Sequence, residues 1–271
     1  MITASAPLSR DVLEFIKACF GCPIIEAYGL SESNGAVTAT DIRDPISGTV
    51  GGPLRHCAIR LKDLPDMEYR VTDQPYPRGE VCVRSPCITT GYFMRPDLTA
   101  AAIDDQGYLH TGDVGEILPN GSIKIIDRSK NIFKLSQGEY IAPEKLENIF
   151  IQSNFIAQVM VHGDSLQNCC IAIVVPDKEV LAKWASENGK QIDNIFQSQD
   201  ADFKKVIFDE IYALATASKL NSLEKPKGLY LTNEEFSTEN DLMTPTFKLK
   251  RNVAKKAYQA QIAQIYASLA D

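Results

Sequence analysis

Four stretches of the chain carry residues whose types and spacing can do chemistry. Tyr28-Gly29-Leu30-Ser31-Glu32-Ser33 sets an aromatic ring, a glycine, a hydroxyl and a carboxylate side by side. A ring stacks on a base, a glycine lets backbone come close to a phosphate, a hydroxyl donates to a phosphate oxygen, and a carboxylate holds a hard cation. The same six residues also read as a core tyrosine followed by a solvated loop acid. Tyr108-Leu109-His110-Thr111-Gly112-Asp113 ends on a carboxylate that, by itself, reads as a turn or cap residue. Asp127-Arg128-Ser129-Lys130 is a charged crossing between two apolar runs, Ile123 to Ile126 and Ile132 to Leu135, as a hinge between domains would be. Leu242-Met243-Thr244-Pro245-Thr246-Phe247-Lys248-Leu249-Lys250-Arg251 is basic and precedes a terminal helix, which by itself reads as a solvated face.

These stretches need elements to hold them. Ser9 can cap a helix in which Val12, Ile16, Cys19 and Phe20 share a face, and Gly21 ends it. A short strand, Pro23 to Ala27, then delivers Tyr28. Residues 41–122 change texture, with short β-rich runs (Ala58 to Leu61, Tyr69 to Val71, Glu80 to Arg84) separated by Pro, Gly and Asp. Pro119-Asn120-Gly121-Ser122 is a hairpin turn by the Asn-Gly rule. This predicts a β subdomain over 41–126 closing as a small barrel. After the crossing the pattern is α+β. Pro143 opens a helix whose inward residues are Leu146, Ile149 and Phe150. Ala157 to Val161 and Cys169 to Val175 read as strands. Lys178 to Asn188 and Ala201 to Leu220 read as helices, and Lys227 to Leu231 as a third strand. The expected fold class is therefore α+β, with part of a large domain over 1–126 and a small mobile domain over 127–271.

Composition narrows the function classes. Hydrophobic residues make up 44% and charged residues 23%, as in ordinary globular proteins. A net charge of −7 argues against nucleic acid as a partner. No apolar run reaches the roughly 18 residues of a membrane span. Seven scattered cysteines point to reduced thiols in an intracellular setting, cytoplasmic or peripheral to a membrane. Cys19-Phe20-Gly21-Cys22 has redox spacing but reads as a helix end. The three histidines, His56, His110 and His162, stand far apart, with no zinc spacing in sequence.

The run Asp127-Arg128-Ser129-Lys130-Asn131-Ile132-Phe133-Lys134-Leu135-Ser136-Gln137-Gly138-Glu139-Tyr140-Ile141-Ala142-Pro143-Glu144-Lys145 closely resembles the interdomain hinge of long-chain fatty acyl-CoA synthetases, which belong to the adenylate-forming enzymes. The other stretches agree with that family in order. The resemblance implies ATP, Mg2+ and coenzyme A as cofactors and a fatty acid as substrate. It places AMP against Tyr28, Gly29 and Ser31, against Asp113 at the ribose hydroxyls, and against Arg128. Ser5, Ala6 and Pro7 would line the adenine, in a loop where Ala4 replaces the usual glycine. Glu32 would hold the metal, Asp127 would be the hinge, and Lys248 would serve adenylation, with Lys250 as the rival register. Phe247 stands where many relatives have glycine. Lys134 would serve the thioester step, with Ser136, Gln137 and Gly138 beside the pantetheine arm. Gly79-Glu80 and Gly91-Tyr92 match another signature, read structurally, with Tyr92 packing.

The family's Ser/Thr/Gly-rich loop ending in lysine, which wraps the outer phosphates, is not found in the sequence. The chain is therefore expected to be a C-terminal portion, its N-terminal part missing and its activity absent when alone. Two other readings stay open. One is a different adenylate former, for aryl or short-chain acids; the Phe133 to Tyr140 run and Val161-His162-Gly163-Asp164-Ser165 favour the long-chain class over it. The other is a non-catalytic nucleotide- or partner-binding module. Acyl chain length, oligomeric state and peripheral membrane association of a longer parent are open.

Overall fold

The computed structural model describes residues 1–5, 8, 10–44 and 46–270. Ala6, Pro7 and Ser9, named above for the adenine loop and a helix cap, lie outside them. The chain divides into two compact units, Met1–Lys130 and Asn131–Asp271, each described by itself.

The first unit opens with β1 (Ile2–Thr3), α1 (Arg10–Phe20), β2 (Ile25–Leu30), β3 (Gly35–Ala39) and β4 (Gly52–Pro53). These strands form one sheet in the order β1-β2-β3-β4, with β1 parallel to β2 and the rest antiparallel. The strand expected over Pro23 to Ala27 sits further on, so Tyr28 and Gly29 are inside β2 and the loop begins at Ser31. Helix α1 is present, but its apolar stripe is not inward. Leu13 is buried, whereas Val12, Phe15, Cys19 and Phe20 are exposed.

The rest of the unit is β5 (Ala58–Lys62), β6 (Arg78–Arg84), α2 (Pro96–Ala102), β7 (Leu109–Ile117) and β8 (Ile123–Arg128). Strands β5 to β8 form an antiparallel meander in sequence order. The expected barrel is not closed, because β5 and β8 do not pair. Instead Val50 N–H donates to Ile123 O and Ile123 N–H to Gly51 O, so backbone leading into β4 covers the β8 edge. Val81, Val83 and Ile123 of the meander pack with Val37 of β3 in one small core, so the apolar face is buried against a second sheet and closure is not needed. Tyr69 to Val71 forms no strand. Asp63 Oδ1 accepts from Val71 N–H at 2.7 Å and Asp73 Oδ2 from Arg70 N–H at 3.1 Å, and these local side-chain bonds turn the chain there.

The second unit contains β9 (Phe133–Lys134), β10 (Tyr140–Ile141), α3 (Pro143–Phe150), β11 (Ile156–His162), β12 (Ile171–Pro176), α4 (Lys178–Glu187), α5 (Ile192–Gln197), α6 (Ala201–Ala217), β13 (Gly228–Leu231), α7 (Arg251–Ala257) and α8 (Gln259–Ala270). Its sheet has the order β11-β12-β13, and β12 is buried along its whole length. The two-residue period of a strand sorts its side chains. Ala172 and Val174 face the core built with α3, α4 and α6, while Ile171, Ile173 and Val175 face the one built with α7 and α8. Trp184 packs on Phe203 with ring centroids 4.8 Å apart, in the core where it was expected.

Candidate functional site

Three residues far apart in sequence meet in the first unit. The Asp113 carboxylate, 5% exposed, accepts from the Tyr28 hydroxyl at 2.7 Å and from Arg128 Nε at 3.1 Å. Asp113, midway along β7, and Arg128, at the end of β8, are cross-strand partners, and Tyr28 comes from β2. Burial, and after it the charge of Asp113, pushes the Tyr28 phenol well above its ordinary range, so it stays a donor. A carboxylate is acceptor-only with about four lone-pair sites, a chemistry that suits a pair of hydroxyls.

A break in the strand ladder aims Asp113. Between the pairs Cys82–His110 and Glu80–Val114, Val81 alone stands opposite Thr111, Gly112 and Asp113. Gly112 takes a φ of +71°, where an L side chain is strained. Four polar groups of the bulge have partners. Thr111 Oγ1 donates to Val81 O at 2.7 Å and accepts from Asp113 N–H at 3.1 Å. Gly112 N–H donates to Glu80 Oε1 at 3.1 Å, and Gly112 O accepts from Ser129 N–H at 2.8 Å. Glu80 belongs to a wider network, with His110 Nδ1 2.9 Å from its Oε2 and His110 Nε2 3.3 Å from Asp104 Oδ2. Burial, and then the Glu80 charge, pushes the neighbouring Cys82 thiol up to about 11. Sequence inspection missed this network, because its members lie on three separate elements.

Glu32 stands in a 3-10 turn, Ser31–Ser33, directly after β2. Its Oε1 accepts from the Tyr92 hydroxyl at 2.7 Å, and its main-chain oxygen accepts from Thr89 N–H at 2.8 Å. The expectation that Tyr92 serves packing is corrected by that bond; Tyr92 is 39% exposed and orients the carboxylate. Ser31 is exposed, and the buried hydroxyl is that of Ser33, which accepts from Leu30 N–H and shares its proton between Leu30 O and Gly35 O. Gly29 has an internal reason for its small size: a Cβ there would lie 2.0 Å from Gly35 O across the strand pair. Ser5, exposed with φ of +79°, follows β1, so it and Tyr28 lie toward the carboxyl ends of two parallel strands. Asp127 is buried in β8, and its Oδ1 accepts from Arg128 N–H at 2.6 Å.

The second unit holds the remaining candidates in two places. Lys134, exposed, lies in the β9–β10 hairpin with its Nζ 4.9 Å from the Tyr140 ring centroid. Gly138 turns that hairpin at φ of +98°. Ser136 N–H donates to Gln167 O and Gln137 Nε2 to Asn168 O, both at 2.9 Å, tying the hairpin to the loop after β11. Its apolar side, Phe133 and Leu135, rests on Gly163, where a Cβ would lie 2.5 Å from Phe133. Lys248 stands elsewhere, on a tight turn closed by Thr244 N–H to Lys248 O at 2.8 Å. Phe247 before it is 76% exposed and takes φ of +58°, so the left-handed turn is kept at the position where glycine was expected. Lys250, the rival, is ion-paired with Asp241 and stands directly before α7. Arg251 makes a bidentate pair with Glu147, Nη1 to Oε1 at 2.9 Å, and Glu147 Oε1 also accepts from Val161 N–H. This anchor, which joins the start of α7 to α3 and β11, was not foreseen.

Residues 1–93 match the AMP-binding enzyme family. The chain is 44% identical over 271 residues to long chain acyl-CoA synthetase 7, peroxisomal, of Arabidopsis thaliana, covering 100% of this chain and 39% of that protein. It is 44% identical over 269 residues to human long-chain-fatty-acid–CoA ligase 1, covering 99% and 38%. Among solved structures it is similar to the adenylation domain of the carboxylate reductase of Mycobacterium chelonae, with a TM-score of 0.84 and 32% identity over 98% of this chain and 38% of that one. It is also similar to the A domain of carboxylic acid reductase from Segniliparus rugosus in complex with AMP and a co-purified carboxylic acid, with a TM-score of 0.83 and 31% identity over 99% and 39%. The fold is that of the adenylation domain of adenylate-forming enzymes. The chain spans about two fifths of the length of the curated relatives it matches.

Proposed function

We propose, for a chain homologous along its length to long-chain acyl-CoA synthetases, that it supplies the ribose-binding and hinge portion of a long-chain fatty acid–CoA ligase. The observation that carries the reading is the buried Asp113 carboxylate, oriented by the Tyr28 hydroxyl and Arg128 Nε from two other strands. In the reaction a fatty carboxylate attacks the α-phosphate of ATP and pyrophosphate leaves, giving acyl-AMP. The thiol of coenzyme A then attacks the acyl carbon and AMP leaves. A carboxylate alone is a poor electrophile because oxide would have to depart; adenylation replaces oxide with AMP.

The residues divide the work. Asp113 accepts the two ribose hydroxyls, Tyr28 and Arg128 fix that carboxylate, and Ser5 and Ser31 flank the nucleotide. Glu32 fits one coordination position of a hard cation, since Tyr92 occupies only Oε1, and such a cation would supply charge neutralisation at the phosphates. Lys248 brings positive charge to the α-phosphate as negative charge grows there. The β9–β10 hairpin, with Lys134 and Gly138, serves the thioester step, and the second unit alternates between the two tasks by rotation near Asp127. Its acyl substrate would be long-chain, as the names of its relatives state for them.

The test uses a longer protein containing these residues, assayed for pyrophosphate release with fatty acid and ATP and for thioester formation from preformed acyl-AMP and CoA. Lys248→Ala lowers the first rate by about 10²-fold or more and leaves the second near wild type. An unchanged first rate would support a non-catalytic role. A preference for aryl or short-chain acids would move the substrate class.

A further inference from the structure

Glu80, Cys82 and His110 bring a carboxylate oxygen, a sulfur and an imidazole nitrogen within 4.8 Å of one another, on the face of the β6–β7 pair behind the Asp113 bulge. Cys82 is fully buried, and the Glu80 and His110 side chains are 13% and 15% exposed. The two strands place them directly: Glu80 and Cys82 alternate onto one face of β6, and His110 is the cross-strand partner of Cys82.

The imidazole contacts fix where the donors point. His110 meets a carboxylate at each nitrogen, Asp104 Oδ2 at Nε2 and Glu80 Oε2 at Nδ1. Asp104 is itself fixed, by Arg60 at 2.5 Å and by the N–H groups of Gln106 and Tyr108. Nδ1 also lies 3.6 Å from Cys82 Sγ, so one nitrogen, one sulfur and one oxygen donor converge on the same space. Donor–donor edges in a tetrahedral zinc site are about 3.3–3.6 Å, by the usual bond lengths. The Sγ–Nδ1 edge already has that length, and the Glu80 carboxylate, 2.9 Å from Nδ1 and within 4.8 Å of Sγ, has to move away from the nitrogen and toward the sulfur.

The outer partners of such a site are also in place. Asp104 on Nε2 completes a carboxylate–histidine–metal arrangement, and Gly112 N–H on Glu80 Oε1 orients the second ligand. We propose that Glu80, Cys82 and His110 form a binding site for a borderline-soft divalent cation of the zinc type, with solvent in the fourth position. Nitrogen, sulfur and oxygen donors together select zinc over magnesium or calcium. Coordination replaces the Cys82 S–H proton, which leaves to solvent, and no electron is transferred. The site stands apart from the hard-cation position at Glu32 and does not depend on the assignment of the nucleotide.

Cobalt(II) is the probe, because thiolate coordination gives a near-ultraviolet charge-transfer band and a tetrahedral site gives intense visible bands. The reduced, chelator-stripped chain takes up one equivalent of Co2+ with both signatures, and Zn2+ displaces it. Cys82→Ser removes the charge-transfer band, and His110→Gln lowers affinity at least tenfold while circular dichroism stays that of the wild type. The double substitution Cys19→Ser, Cys22→Ser, which removes the thiol pair at the end of α1, leaves both signatures. The proposal is overturned if wild type shows no thiolate band, if the band survives Cys82→Ser, or if it disappears with Cys19 and Cys22. A Cys82→Ser chain that does not fold leaves the wild-type band and His110→Gln to decide.

Discussion

The two units treat their charged groups in opposite ways. In the first, Asp113 is 5% exposed, is met by Tyr28 and Arg128, and is set by a strand bulge in which Thr111 Oγ1 and Gly112 N–H are bonded. In the second, Lys134 is exposed beside Tyr140, and Lys248 stands on a turn whose preceding residue is strained at φ of +58°. A group that must recognise a fixed diol gains from being held before the ligand arrives. Under the proposed function, Lys248 would serve only one of two steps and would have to be presented and withdrawn, which fits a short turn anchored at its ends.

The anchor of the second unit is the place to break this contrast hardest. Removing one partner of a buried, bidentate ion pair leaves a desolvated charge, and Arg251→Ala is expected to destabilise the unit by about 3 kcal/mol or more. Trp184, the only tryptophan, lies in that unit's core, so its emission during a denaturant titration follows this unit selectively. A midpoint equal to that of wild type would show the turn to be held by something else.

The next effect is one of pH. Burial, and after it the charge of Lys255, holds His162 down at about 4, with Arg251 pushing the same way and Asp164 opposing. Its neutral form is favoured in the fold, so between about 4 and 6.5 the unfolded chain binds more protons. The associated stability is complete above 6.5 and is lost as pH falls toward 4, by about 3 kcal/mol at most. His162→Gln should flatten the Trp184-detected stability curve over that window; an unchanged slope would contradict the assignment.

In the first unit Tyr28→Phe leaves one bond of Asp113 unmade, at about 1–2 kcal/mol. Faster amide exchange should then appear in β7 and β8 by mass spectrometry, with α4 and α6 unaffected. Phe247→Gly is the mildest change. It relieves a left-handed aromatic residue and adds freedom to the unfolded chain, for a net gain of about 0.5 kcal/mol. A loss of stability there would show that the Phe247 ring is used.

What could be read from the sequence was what neighbours along the chain determine. Asn120-Gly121 gave its turn, the unbroken apolar run Cys169 to Val175 gave a strand, and Pro143 opened α3. The candidate residues Tyr28, Asp113 and Arg128 were legible as types within motifs, but their meeting was not, since 85 residues separate Tyr28 from Asp113. The Tyr92–Glu32 and Arg251–Glu147 contacts escaped for the same reason, at separations of 60 and 104 residues. The open meander was missed because strand count and spacing do not say whether the first and last strands pair. The Tyr69 to Val71 run was misread because Asp63 and Asp73 compete locally for its N–H groups.

The central claim is that Asp113 is a prepared acceptor for a nucleotide sugar. Isothermal titration of AMP into this chain and into Asp113→Asn tests it most directly, with 2′,3′-dideoxy-AMP as a second ligand. The account predicts that the wild type binds AMP at least tenfold more tightly than either the variant binds AMP or the wild type binds the dideoxy analogue. Equal affinities across the three, or no binding of AMP by the wild type, would contradict it.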